Sequence, residues 1–394
     1  MSSYLNKRLT IGDLKSQAKA KVPKLFYDYV DSGSWTESTY RANQSDFQKL
    51  LLKQKVMVDI SERNLSTNII GKPCKLPFAM APTGFTGMLS ANGEVKAAKA
   101  CERAGIPFTL STMSICPIED IAANTENPFW FQLYMMKDKN FIQSLIERAK
   151  AANCSALVLT CDLQILGQRH KDIRNQLSAP PKLTIKHLLQ MASKPAWCVQ
   201  MLGTNRREFG NIVGHVKGVD DMSSLSSWIS QQFDTCLSWQ DIEWIKTIWD
   251  GPLILKGVLT SDDAKQAANC GADAIVVSNH GGRQLDYARS SIAALAPIVD
   301  AVGNKVEVHM DGDIYQGQDV LKALCLGAKS VYLGRALLYG LGAGGQAGVT
   351  RAIDIIEKEL DITMALCGER DINQVGRHNL DECSPLIREY QMEL

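Results

Sequence analysis

Between Ser278 and Asp286 the chain reads SNHGGRQLD, which sets an imidazole and a guanidinium three residues apart across a pair of glycines. Histidine takes up a proton near neutral pH, and the planar guanidinium fork fits a carboxylate through two hydrogen bonds. His280 and Arg283 therefore suit an anionic acid that must lose a proton. For so short a run the plainer alternative is a Gly-Gly turn with a hydrogen-bonded histidine.

The elements that position these residues are legible from Leu76 onward, where short apolar runs alternate with amphipathic stretches. The runs are Phe78 to Ala81, Phe108 to Leu110, Phe129 to Leu133, Ala156 to Leu159, Leu253 to Leu255, Ala274 to Val277, Val306 to Met310 and Val331 to Leu333, eight in all. Helical patterns follow at Glu94 to Ala104, Asn140 to Ala152, Asp262 to Asn269, Ser291 to Val302, Gln318 to Leu326 and Val349 to Leu360. A crossover helix lets the next strand run parallel, so eight repeats predict an α/β chain closed into a (β/α)8 TIM barrel over about 76–361. An open doubly wound sheet is the alternative, but no GxGxxG follows the first strand. Ahead of the barrel, Asp13 to Asp31 predicts an N-terminal helical segment ending at Ser32-Gly33. A long insertion after strand four, about 176–236, ends before a helix introduced by the capping box of Ser238 and Asp241. Residues 1–394 are read as a single domain.

Active sites of such barrels lie at the C-terminal strand ends. Polar residues follow nearly every run: Pro82-Thr83-Gly84, Ser111-Thr112, Gln132 with Tyr134, Thr160 with Asp162, Lys256, Ser278-Asn279-His280, Asp311 and Gly334-Arg335. Singly, each is an ordinary turn or cap residue. Together they predict one shared pocket.

Composition narrows the function classes. With 43 basic and 42 acidic residues in 394, the formal charge of +1 provides no overall attraction to nucleic acid. The 11 cysteines are odd in number and scattered without a CxxC pair, and no cleavable signal precedes them, so they read as reduced thiols inside a cell. Cys154 and Cys270 read as small core residues on helical segments. The six histidines lack metal spacing, which argues against a metal site. No apolar run reaches the ~20 residues needed to span a bilayer.

SNHGGRQLD, with YDYVDSG (27–33), GEVKAAKACERAGIPFTLST (93–112), WFQLY (130–134), LILKG (253–257) and GQAGV (345–349), resembles the FMN-dependent 2-hydroxy-acid dehydrogenases and oxidases. The likeness covers nearly the whole chain and is greatest to the bacterial L-lactate dehydrogenases. It implies a flavoprotein with FMN as cofactor, L-lactate oxidised to pyruvate, a quinone or cytochrome of the respiratory chain as acceptor, and a homotetramer. An oxygen-using 2-hydroxy-acid oxidase is the alternative. In this resemblance His280 is the base, Asp162 orients it, Arg283 with Tyr29 and Arg169 holds the substrate carboxylate, and Tyr134 bonds the hydroxyl oxygen. Lys256 faces the flavin N1 edge, and Pro82, Thr83, Gly84, Ser111, Gln132, Thr160, Ser278, Asp311, Gly334 and Arg335 complete the cofactor site. Gly84 and Met113 occupy positions that vary with substrate size.

One stretch departs from the family. Barrel phosphate sites commonly follow strands seven and eight, and there the family has a DGGxR or DSGxR turn. This chain reads DGDIYQG from Asp311 to Gly317, so Asp313 replaces a glycine and Tyr315 an arginine. A carboxylate repels phosphate, and a lost arginine contact removes about 1.5–3 kcal/mol. Three hypotheses follow: a dehydrogenase that retains its flavin weakly, a degenerate or regulatory barrel that has lost it, and another phosphate-binding barrel enzyme such as a sugar-phosphate isomerase. The intact His-Arg motif counts against the third.

The insertion contains LLQMASKPAWCVQML, Leu188 to Leu202, near Lys182, Lys186 and Lys194. Basic residues beside an apolar, tryptophan-containing stretch suit a membrane interface. In similar dehydrogenases this segment is a membrane anchor, which implies peripheral attachment to the cytoplasmic side of the inner membrane. A lid or an oligomer contact is the alternative, since Pro195 interrupts any long helix.

Overall fold

A computed structural model describes residues 4–177, 184–215 and 233–393. The apolar runs form the parallel strands β1 (Phe78–Met80), β2 (Thr109–Ser111), β3 (Trp130–Tyr134) and β4 (Ala156–Thr160), followed by β5 (Leu253–Val258), β6 (Ala274–Val277), β7 (Glu307–Asp311) and β8 (Ser330–Leu333). Nearly every residue in them is buried, because one face looks into the barrel and the other meets the helix layer. Neighbours run in the order β1-β8-β7-β6-β5-β4-β3-β2. A parallel bridge between Met80 and Phe108 joins the ends of that row. The fold is a (β/α)8 barrel.

The crossover helices begin where side chains satisfy their free N–H groups. Asp138 accepts from the N–H groups of Asn140 and Phe141, both at 3.1 Å, ahead of the helix Lys139–Ala151. Thr260 accepts from Asp263 N at 3.2 Å before Ser261–Asn269. Ser290 does the same for Ala293 N at 3.3 Å, opening Ser291–Val302. The predicted capping box is present, with the Asp241 carboxylate accepting from Ser238 N at 2.8 Å. These caps fix the heights at which the loops leave the strands.

Three expectations change in detail. The N-terminal segment is two helices, Ile11–Lys21 and Lys24–Val30, parted at Pro23, whose ring and missing N–H end a helix. The last predicted helix is the second arm of Arg335–Leu366, with Gly344 and Gly345 non-helical between the arms. Cys154 and Cys270 lie just beyond helices rather than on them.

The described part of the insertion holds the helices Ile185–Ala192 and Pro195–Leu202. Pro195 starts the second helix, where its missing N–H costs nothing. Trp197 points back at the barrel: its Nε1 donates to Met88 O at 2.9 Å, and its ring stacks on Phe26 at 5.6 Å. Lys182 lies outside the described residues. Among these residues no helix is long and apolar enough to cross a membrane.

Candidate active site

A cavity of about 470 Å³ opens at the C-terminal ends of the strands. Each of the eight strands or the loop after it contributes to its wall, from Pro82, Thr83 and Gly84 after β1 to Gly334 and Arg335 after β8. Tyr29 reaches it from the N-terminal segment and Arg169 from the loop after β4.

At one end His280 Nδ1 lies 2.9 Å from Asp162 Oδ1. With Nδ1–H facing a carboxylate, the lone pair resides on Nε2. Burial pushes the imidazole below its ordinary value, and Asp162 pulls it back up. Burial alone would raise the Asp162 carboxyl, but His280 and Lys256 hold it below its usual range. Asp162 itself does not line the cavity, so it stands behind the imidazole it faces.

Arg283 is packed across the Tyr29 ring, 4.6 Å from its centre. Its Nη1 donates to the Tyr29 carbonyl and, at 2.9 Å, to Ser32 Oγ. Its Nη2 is buried without a hydrogen-bond partner, 3.8 Å from Asp172 Oδ2. Burial and the nearby Arg169 push this guanidinium down to about 10, so it keeps its charge at neutral pH. An unpaired donor on a buried cation is a seat for an anion. Tyr134 lines the same space, and burial raises its phenol well above the ordinary value, leaving it a hydrogen-bond donor.

Lys256 occupies the middle of the site, 2.9 Å from both Ser278 Oγ and Asp311 Oδ2. Burial opposes its charge, but Asp311 and Asp162 more than restore it. Ser111, Gln132, Thr160 and Ser278 are buried and do not line the cavity. Ser111 donates to Gln132 Oε1 at 2.9 Å, which leaves Gln132 Nε2 buried without a partner. The fixed ammonium of Lys256 and the wall residues suit the carbonyl-bearing edge of a flavin ring.

The other end does not suit a phosphate. Arg335, expected to meet it, bonds Asp313 Oδ1 at 2.6 Å and the carbonyls of Val30, Ser32 and Gly281 at 2.9, 2.8 and 2.9 Å. Four of its five N–H groups are taken by the protein itself. The sequence placed Asp313 here but not its ion pair, and it passed over Asp172, whose acidic group stands among the basic residues of GQRHKDIRN.

A base backed by a carboxylate, a buried anion seat and a lysine-edged slot define the flavin-dependent barrels that oxidise hydroxy acids. A family model described as FMN-dependent dehydrogenase matches residues 18–382, and the chain belongs to that family of FMN-dependent oxidoreductases. L-lactate dehydrogenase of Vibrio cholerae serotype O1 is 43% identical over 370 residues, 93% of this chain and 97% of that one. The Caulobacter vibrioides L-lactate dehydrogenase is 41% identical over 375 residues, 95% and 97% of the two. Among solved structures, the monotopic membrane protein (S)-mandelate dehydrogenase superposes with a TM-score of 0.91 at 33% identity, covering 95% of this chain and 99% of that one. A mandelate oxidase superposes with a TM-score of 0.81 at 31% identity, covering 95% and 98%.

Proposed function

We propose that the chain, acting as one catalytic unit, oxidises an L-2-hydroxy acid, L-lactate to pyruvate before others. The observation that carries this reading is the arrangement on one cavity of His280, backed by Asp162, of Arg283, whose Nη2 has no hydrogen-bond partner, and of Lys256. FMN, when bound, supplies the two-electron acceptor. Arg283, with Arg169 and the Tyr29 ring, holds the substrate carboxylate, while Tyr134 donates to its hydroxyl oxygen. His280 Nε2 takes up the proton released on oxidation, and Asp162 stabilises the imidazolium so formed. The same histidine serves whether the carbon gives up hydrogen as a proton or with its electron pair.

L-Lactate is favoured because the relatives of that name are more similar in sequence than the mandelate enzymes, at 43% against 33% identity. The electrons pass to a quinone or another respiratory carrier, from a homotetramer attached peripherally to the cytoplasmic face of the inner membrane. Support for attachment comes from the monotopic neighbour and from Ile185, Leu188, Leu189, Val199 and Leu202, all exposed on the insertion helices. Anaerobic addition of L-lactate to flavin-loaded protein tests the central step: bleaching of the flavin is expected. A flavin that stays oxidised with lactate, mandelate and longer hydroxy acids alike would refute the reading. Peroxide release in air, without quinone reduction, would replace the dehydrogenase by an oxygen-using oxidase.

A further inference from the structure

The far end of the cavity contains a charge pattern that the proposed reaction does not use. Arg335 is buried against Asp313, and the side chain of Asp313 is itself only 1% exposed. A guanidinium has five N–H donors, and the bonds to Val30 O, Asp313 Oδ1, Ser32 O and Gly281 O leave a single N–H on Nη1. Tyr40 covers its face, 4.6 Å from ring centre to guanidinium carbon. Among the described residues, the other lysines and arginines on the cavity wall are Lys256, Arg169 and Arg283, which belong to the ring and substrate end. Tyr315 adds no charge: its hydroxyl donates to Asp313 Oδ1 at 3.1 Å, and its ring stacks on Tyr339.

The second oxygen of Asp313, Oδ2, is buried without a hydrogen-bond partner. An orphan acceptor is relieved by a donor. A phosphate dianion offers none and brings like charge to a carboxylate already inside the protein, whereas a primary hydroxyl donates a hydrogen bond and carries no charge.

We propose that the Asp313 carboxylate holds the place of the flavin's terminal phosphate, so that the pocket grips the cofactor by its ring and ribityl chain and accepts riboflavin at least as well as FMN. This deepens the reading of the cavity as a flavin site and rests on it. Asp313 has φ 53°, a left-handed conformation that glycine adopts without strain. Asp313→Gly with Tyr315→Arg therefore frees Arg335 and supplies a second cation in the same loop.

Protein stripped of flavin is titrated separately with riboflavin and FMN, with binding read from quenching of flavin fluorescence and from induced visible circular dichroism. The dissociation constant for FMN is expected to be no lower than that for riboflavin. The double variant is expected to tighten FMN binding by about 10- to 100-fold, the worth of one charge-assisted bond, without improving riboflavin binding. Asp313→Asn, nearly isosteric and uncharged, is expected to favour FMN in the same direction should the double variant fold poorly. Wild-type protein that binds FMN about tenfold or more tightly than riboflavin, a discrimination near one charge-assisted bond, would overturn this inference and leave the proposed oxidation standing. Failure to bind either flavin would overturn both.

Discussion

The reactivity of His280 depends on which nitrogen is free. Its Nδ1 is taken by Asp162 at 2.9 Å, so in the proposed reaction Nε2 takes the proton, and the imidazole must be neutral beforehand. Burial places its pKa below 6.5 against the opposing pull of Asp162. Activity should therefore be full above that ordinary value and fall as the pH drops through the lowered one. Asp162→Asn removes the influence that raises the pKa, so the acid limb of kcat/KM moves to lower pH and its plateau drops by about 100-fold or more. A limb displaced to higher pH in the variant would contradict this account. Arg283→Lys tests the anion seat: lysine keeps the charge but loses the planar fork. It should raise KM for lactate about 10- to 100-fold and change kcat less, as steady-state kinetics would show.

The elements place these residues through a few close backbone approaches. A Cβ on Gly348 would lie 1.9 Å from the Gly340 carbonyl oxygen, so the two arms of Arg335–Leu366 meet where no side chain fits. Arg335 opens the first arm, and parting the arms disturbs the loop that holds it. Gly348→Ala should cost about 2 kcal/mol or more, visible as a lowered midpoint in thermal unfolding. A variant that melts with the wild type would show that the arms slide apart without cost. GQAGV (345–349) was legible as a motif, yet the sequence placed only the second arm as a helix, because Gly344 and Gly345 hide its continuity with the first. The eight strands were readable because burial on both faces demands apolar runs, and the crossover helices because one buried face leaves apolar residues at helical spacing. That His280, Arg283 and Lys256 line one cavity, with Asp162 behind the imidazole, was readable because each follows an apolar run or stands within a dense motif. The pairing of Arg335 with Asp313 was not: it joins loops after β7 and β8, and pattern alone cannot say whether two opposite charges meet each other or a ligand.

For the whole molecule, the formal charge of +1 bears on the proposed attachment to a membrane. Its overall field is too weak to draw it to an anionic surface, so the proposed attachment rests on local apolar contact. Ile185, Leu188 and Leu189 stand at helical spacing, and Val199 and Leu202 repeat it on the next helix; all five are exposed. Trp197, which looked from the sequence like an interfacial anchor, instead stacks on Phe26 and fastens this unit to the barrel. None of the five residues of the apolar stripe lines the cavity. Replacing Leu188, Leu189, Val199 and Leu202 with serine should abolish co-sedimentation with phospholipid vesicles while lactate oxidation with a soluble dye continues at the wild-type rate. Because the contact is apolar, raising the salt from 0.1 to about 1 M, which shortens the screening length roughly threefold, should release little of the wild-type protein. Release by salt, or vesicle binding undiminished in the serine variant, would shift the attachment from this stripe to basic residues.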